Sequence, residues 1–334
     1  MDRPNIFKIA TSELSQDALI TWLLKWADSE YSPVDRKLHS CAVKFVRSLI
    51  RETEDYDIKN VKAGRQWNNI DVWAKVNDDY FIVIEDKKGT KEHSGQLKKY
   101  AERAKKHYEN ENINIVLVYF KMEPQGNYSN IKGAGFSIFT REEMLSILKQ
   151  YYEDTDNDNK NDILTDYYFY LKELDEKIKS FETTEKWGWY AWKGFFETIQ
   201  KEIGGEWDYV PNPSGGFLGL WWNWNYKNLD GKEFQFYLQL EYGKLIFKLY
   251  VYKYEYRREL RDYYRRKLFT VAKADGIKDK IHKYGRIGQY MGVAKLKDDY
   301  RVKNENGLID IASTIENLRK MKRFISLVAS EIEK

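Results

Sequence analysis

The chain has 334 residues, a net charge of +4, and 42% hydrophobic and 16% aromatic residues, so it can fill a packed core and is neither disordered nor collagen-like. The single cysteine, Cys41, excludes an internal disulfide framework and a cysteine-based zinc site. No apolar run approaches the roughly 18 residues that span a bilayer, and the N-terminus lacks an apolar signal core. We expect a cytoplasmic protein without a membrane segment, with about two domains at roughly 100–200 residues each.

The first 150 residues alternate between helical and strand patterns. Apolar spacing predicts helices over residues 12–27 and 39–54. The elements predicted after them are strands over 70–76 and 80–85, a helix over 94–108, strands over 113–120 and 136–140, and a helix over 141–150. A hairpin followed by a crossover helix indicates an α/β fold with a mixed central sheet.

The segment 151–162 is rich in Asp and Asn and predicts a solvated loop. We therefore divide the chain into a domain over residues 1–150, a connector over 151–185, and an aromatic-rich α+β domain over 186–334. The elements predicted after residue 162 are helices over 163–181 and 189–203, strands over 217–224, 233–240 and 244–252, and helices over 253–270 and 308–333.

The residues that indicate chemistry lie at the ends of the two predicted hairpin strands. Asp71 begins one strand, and Glu85-Asp86-Lys87 ends the next. Side chains at i and i+2 of a strand share a face, so Glu85 and Lys87 project together, and strand pairing brings Asp71 toward Glu85. Two carboxylates can hold Mg²⁺, which lowers the pKa of bound water, and the ammonium can orient the water and offset charge in the transition state.

Gln96 and Tyr100 lie on one face of the following helix. With Asp71 and Glu85-Asp86-Lys87, this Gln-x-x-x-Tyr element resembles the PD-(D/E)XK nuclease superfamily, in the branch that contains exonuclease domains of bacterial recombination helicases. The opening segment, FKIATSELSQDALITWLLKWA, resembles the start of a bacterial stand-alone family of that superfamily.

The resemblance implies a restriction-endonuclease-like αβββαβ core over about residues 6–150 and phosphodiester hydrolysis with Mg²⁺ or Mn²⁺. Asp71 and Glu85 would bind the metal with the backbone carbonyl of Asp86, and Lys87, Gln96 and Tyr100 would complete the catalytic set. Glu13 matches a first-helix glutamate of the family. Ile70 stands where the family often has proline.

Two basic segments are candidates for contact with nucleic acid. Residues 87–106 hold eight Lys or Arg against two acids, with Lys88 and Lys91 next to the predicted site. Residues 253–286 hold twelve against five, and Arg257, Arg261 and Arg265 form a stripe at helical spacing. Such stripes contact phosphates, but they also occur on solvated amphipathic helices.

The sequence thus predicts a metal-dependent nuclease whose substrate is DNA, with a role in defence against foreign DNA or in DNA processing. RNA as substrate is one alternative. The other is a nuclease-like fold that only binds nucleic acid or protein. The C-terminal domain would recognise substrate, a protein partner or a second copy of the chain.

Overall fold

The computed structural model describes residues 4–92, 95–156, 159–212 and 215–332. The chain forms two compact units. The first runs to Pro124 and takes in Tyr128–Glu176, and the second holds Gln125–Asn127 and the chain from Lys177 onward. Parts of the predicted elements lie outside the described residues: Ser94 of one helix, Asn157 and Asp158 of the acidic loop, and Glu333 of the last helix.

The first unit is built on a five-stranded mixed sheet. Strands β1, β2 and β3 are antiparallel, while β3, β4 and β5 run parallel, so the predicted αβββαβ core is confirmed. Its elements are α1 (Ile6–Ile9), α2 (Glu13–Lys25), α3 (Arg36–Ile50), β1 (Val61–Trp67), β2 (Ile70–Val76), β3 (Tyr80–Lys87), α4 (Gln96–His107), β4 (Asn114–Lys121), α5 (Ser129–Gly133), β5 (Ser137–Thr140), α6 (Arg141–Asp154) and α7 (Asp162–Lys179).

The two central strands of this sheet, β3 and β4, form because their apolar runs can be buried on both faces. On one face Phe81 and Val83 pack with Leu97 and Ala101 of α4. On the other, Phe120 of β4 contacts Phe45 of α3, with ring centroids 6.4 Å apart. The polar end of β3 is therefore positioned between two helical layers.

Strand β1 has no counterpart among the strands predicted from the sequence. It is an edge strand in which Val61 alone is buried, so it lacks the apolar alternation that marks a strand. Asn68 and Asn69 adopt positive φ angles of 50° and 66° in the turn to β2, a conformation that asparagine tolerates better than most residues. This turn fixes the register that carries β2, and Asp71 with it, against β3.

The second unit is an antiparallel six-stranded sheet with order β10-β11-β9-β8-β7-β6, and a two-stranded ribbon of β12 and β13. Its elements are α8 (Trp189–Ile203), β6 (Glu206–Val210), β7 (Phe217–Leu229), β8 (Lys232–Glu241), β9 (Lys244–Tyr250), α9 (Arg257–Ala274), β10 (Ile281–Lys283), β11 (Tyr290–Leu296), β12 (Val302–Lys303), β13 (Ile309–Asp310) and α10 (Ile311–Ile332).

The helices of this unit pack on one face of its sheet. Phe236 of β8 stacks on Tyr264 of α9, with ring centroids 4.7 Å apart, and Phe247 of β9 meets Phe324 of α10 at 5.6 Å. The predicted α+β character of the C-terminal half is confirmed, with β6 and β10 to β13 as additional strands. In the described part of the chain no helix is long and apolar enough to cross a membrane.

Candidate active site

Glu85 and Lys87 lie side by side at the end of β3, on the face covered by α4. Lys87 Nζ is 2.7 Å from Glu85 Oε1 and 3.7 Å from Asp71 Oδ2, so it forms ion pairs with both carboxylates. Val72 pairs with Ile84 across β2 and β3, and one step further along this antiparallel register places Asp71 opposite Glu85. The structure therefore brings together the two acids and the lysine that the strand pattern predicts to meet.

Burial sets the electrostatics of this group. Glu85 is fully buried and Lys87 is 7% exposed. Burial, followed by the negative charge of Asp71, raises the pKa of Glu85 to about 8. Burial alone would lower the pKa of Lys87, but the carboxylates of Glu85, Asp71 and Glu13 raise it above its ordinary value, so Lys87 is held as an ammonium.

Asp86, between these two residues, projects to the opposite face of the sheet. Its Oδ1 accepts a 2.6 Å hydrogen bond from Gln16 Nε2 of α2. Burial, followed by the charge of Asp17, raises the pKa of Asp86 well above its usual range. Its backbone carbonyl, by contrast, accepts a 3.1 Å hydrogen bond from Lys87 Nζ. The backbone carbonyl of Asp86 thus lies on the side of Lys87, and its carboxyl lies on the side of α2.

Glu13 joins the site from the first turn of α2. Its Oε2 lies 3.7 Å from Lys87 Nζ. Its Oε1 accepts hydrogen bonds from the Lys88 amide at 3.2 Å and from the Thr90 hydroxyl at 2.6 Å. The glutamate that the family resemblance points to is therefore within ion-pair distance of Lys87 and is fixed by the loop that follows β3.

Gln96 and Tyr100 lie on α4, over the same face of the sheet. Gln96 Nε2 donates a 2.8 Å hydrogen bond to the Tyr100 hydroxyl. Burial is the largest cause of a raised Tyr100 pKa, and Glu85 and Asp71 add to it, which places the phenol in the electrostatic field of the two acids. Tyr100 is buried, so its hydroxyl stays protonated and its position is set by the packing of α4.

The donor set fits a divalent cation. Among the described residues, no donor forms a hydrogen bond to the buried Glu85 Oε2, and a second carboxylate, that of Asp71, faces Glu85. A cation between them would satisfy both. In the same part of the chain no three His, Cys, Asp or Glu side chains could hold a metal by themselves. Asp71 and Glu85 would thus act with carbonyl or water oxygens, as is usual for Mg²⁺.

Thr90 and Lys121, which fix the loop after β3, are not among the residues predicted from the sequence. Lys121 of β4 pairs with Lys87 of β3 and is 4% exposed. Its Nζ donates a hydrogen bond to the Thr90 carbonyl. Thr90 in turn holds Glu13. The signal in the sequence is the lysine that ends the apolar run of β4, at the same point as Lys87 ends β3.

The residues predicted to contact nucleic acid differ in their surroundings. Lys91 is exposed on the loop after β3, and Lys88 Nζ donates to the Thr11 carbonyl at 3.2 Å. The stripe on α9 instead contacts backbone carbonyls, so it joins the helix to strand ends of its own unit. Its carbonyl partners are Val251 and Tyr252 for Arg257, Tyr284 and Gly285 for Arg261, and Val293 and Tyr284 for Arg265.

The fold and this group of side chains agree with a comparison against protein families. The model of the PD-(D/E)XK nuclease superfamily matches residues 4–185, which is more than half of the chain. The chain belongs to the PD-(D/E)XK nuclease superfamily. Membership implies nuclease chemistry on a nucleic-acid substrate. Searches of curated proteins and of solved structures gave no match.

Proposed function

We propose that this protein is a Mg²⁺-dependent nuclease that hydrolyses phosphodiester bonds of DNA at the site formed by Asp71, Glu85 and Lys87. The observation that carries the proposal is the convergence of two carboxylates and one ammonium, with Glu85 Oε2 buried and without a donor among the described residues. Mn²⁺ has the same preference for oxygen ligands and would substitute.

Asp71 and Glu85 would bind the cation. When bound, Mg²⁺ supplies positive charge that lowers the pKa of a coordinated water and offsets charge on the phosphate. Lys87 is held as an ammonium, so it does not act as a base. It orients the attacking water by hydrogen bonding and stabilises the negative charge that develops on the phosphate oxygens. Glu13 keeps the Lys87 ammonium over the site.

Gln96 and Tyr100 position the reacting phosphate or the water from the α4 side. Their mutual hydrogen bond orients the Gln96 side chain. We also infer that exposed Lys91 contacts a phosphate near the site. Such contacts are independent of sequence and weaken with salt.

DNA is favoured because it lacks the 2′-hydroxyl that can serve as an internal nucleophile in RNA. Its cleavage requires an activated water, which a paired-acid and lysine site provides. We extend the proposal to a role in removing foreign DNA or in DNA processing, and phage plating on cells with and without the active protein tests that role.

The experiment that tests the activity is cleavage of labelled linear duplex, circular duplex, single-stranded DNA and RNA by the purified full chain, with Mg²⁺, Mn²⁺ or EDTA. We expect cleavage of DNA that EDTA abolishes. Cleavage of RNA alone would overturn the choice of substrate. If the folded protein binds these four substrates but cleaves none of them in the presence of metal, the alternative in which the fold only binds nucleic acid would be favoured.

A further inference from the structure

The sheet of the second unit has a face opposite its helices that is buried at Tyr237, Gln239 and Ile246 and exposed along one row of strand positions. Residues opposite each other in a strand pair share a face. The register aligns Tyr226 with Gln235, Gln235 with Tyr250, and Tyr250 with Tyr290, across β7, β8, β9 and β11. These four residues, which we call the aromatic row, alternate with the core residues Phe236 and Leu249 and therefore lie on the face opposite the helices.

Two of the three rings in the aromatic row are exposed, and the ring of Tyr250 is partly buried. Tyr226 is 57% exposed and Tyr290 is 58% exposed, and the Tyr290 ring lies 4.6 Å from that of Tyr250. On the same face Trp224, 44% exposed, stacks on Tyr237 with centroids 3.8 Å apart. Large exposed aromatic side chains grouped on one sheet face are unusual unless they bind something.

The charge around this face is uneven. The segment 280–297, which forms β10, β11 and their connection and which we call the basic hairpin, contains Lys280, Lys283, Arg286, Lys295 and Lys297 and no Asp or Glu. It forms the edge of the sheet next to Tyr290. At the opposite edge, Glu206 and Asp208 pair with Trp221 and Gly219 of β7. A polyanion on this face would therefore lie toward the basic hairpin.

We propose that the aromatic row and the basic hairpin form a binding surface for single-stranded DNA. Bases would stack on Tyr226, Tyr250 and Tyr290, as they do on aromatic platforms of other single-strand-binding proteins, and the hairpin would contact the phosphates. Beside the row, Glu233 accepts a 2.6 Å hydrogen bond from the Tyr226 hydroxyl, at the rim of the ring, which leaves the ring face for stacking.

The proposal assigns nucleic-acid contact in the C-terminal unit to this surface, while the guanidinium groups of the arginine stripe on α9 donate to backbone carbonyls. Single-stranded DNA is chosen over a protein partner on the grounds of charge: a hairpin with only cations suits a phosphate backbone. Stacking needs unpaired bases, which excludes intact duplex. The choice of DNA itself rests on the proposed function.

The test measures binding of fluorescent oligo(dT) by anisotropy, with full-length protein carrying Lys87→Ala in EDTA so that no cleavage occurs. We expect Tyr226→Ala and Tyr290→Ala each to weaken binding about tenfold, and the double variant more. Tyr226→Phe and Tyr290→Phe keep the rings and should bind as the parent does. Arg286→Ala with Lys295→Ala should reduce the dependence of affinity on salt, because Arg286 is exposed and Lys295 pairs with Ile246 on the face of the aromatic row.

Tyr209→Ala is the matched control, because Tyr209 is as exposed as Trp224, at 44%, but pairs with the core residue Leu218 on the β6 edge. Equal binding by this control and by the two alanine variants would overturn the surface, as would tighter binding of oligo(rU) or duplex. The surface would also be overturned if no nucleic acid displaced the labelled oligo(dT) and the surface bound a protein instead. If oligo(dT) binding depends on the rings but the protein cleaves no nucleic acid, the binding surface stands and only the proposed nuclease function is overturned.

Discussion

Glu85 and Lys87, two residues apart on β3, form an ion pair of 2.7 Å in which the acid is fully buried and the lysine is 7% exposed. A buried pair of this kind contributes little net stability relative to apolar residues, and loss of one partner is costly. Its position beside Asp71, with Glu85 Oε2 left without a donor among the described residues, fits a site that is completed by a cation.

Mg²⁺ should stabilise the protein by mass action, because it binds the folded site and not the dispersed carboxylates of the unfolded chain. The melting temperature of wild type should rise with Mg²⁺ concentration, and Glu85→Gln or Asp71→Asn should remove the rise. Differential scanning fluorimetry measures it. Asp86→Asn is the matched control, because the Asp86 carboxyl is bonded to Gln16 on the other face.

Burial, then the charge of Asp17, raises the pKa of Asp86 and so favours the neutral form of this carboxyl in the fold. The uncharged Asn should therefore retain both the fold and the response to Mg²⁺. If Asp86→Asn lost the Mg²⁺-dependent rise as fully as Glu85→Gln, the Asp86 carboxylate would have to be counted among the ligands.

Without metal, stability should fall as pH rises. Burial, then Asp71, raises the pKa of Glu85 from 4.5 to about 8, so the native state binds this proton more tightly than the unfolded chain does. The stability from this group is fully present below about pH 4.5 and is lost as pH rises through about 8, on the order of a few kcal/mol.

Asp17, whose pKa is raised to about 6 by burial and then by Asp71, acts in the same direction. Urea denaturation in EDTA across this range measures the effect. Glu85→Gln should flatten the profile, and an equally steep profile in that variant would assign the pH dependence to other groups. Since Mg²⁺ competes with the proton on Glu85, metal affinity should rise over the same range.

Thr90 should affect turnover through Glu13. Its hydroxyl donates the 2.6 Å hydrogen bond that holds Glu13 near Lys87. Thr90→Val keeps the shape of the side chain and removes this hydrogen bond. We expect kcat to fall about tenfold, which is the scale of one lost charge-assisted hydrogen bond. The Mg²⁺-dependent rise in melting temperature should change little. Thr90→Ser should restore kcat. Full activity of Thr90→Val would show that Glu13 needs no such support.

The end of β3 could be predicted from the sequence because two local rules suffice there. A continuous apolar run marks a buried strand, and strand parity places Glu85 and Lys87 on one face with Asp86 on the other. The hairpin brings Asp71 near. The contacts of Thr90 and Lys121 could not be predicted, because they depend on how a loop folds back between β4 and α2.

The arginine stripe on α9 shows the limit of periodicity. A repeat of four residues identifies which side chains share a helix face, but not what that face packs against. In the folded unit, Arg257 meets the carbonyls after β9, and Arg265 meets the carbonyl of Val293 on β11. Strand β1 was not predicted from the sequence, because an exposed edge strand carries little apolar alternation.

DNA cleavage by wild type, Glu85→Gln and Lys87→Ala in Mg²⁺ tests whether Asp71, Glu85 and Lys87 form the catalytic site. Lys75→Ala is the control, since Lys75 is a lysine of the neighbouring strand that pairs with Asp78 at 3.0 Å instead. Circular dichroism establishes that each variant is folded. We predict that wild type and the control cut DNA, and that both site variants lose at least about a thousandfold in rate. Folded site variants that cut DNA as fast as wild type would contradict the assignment.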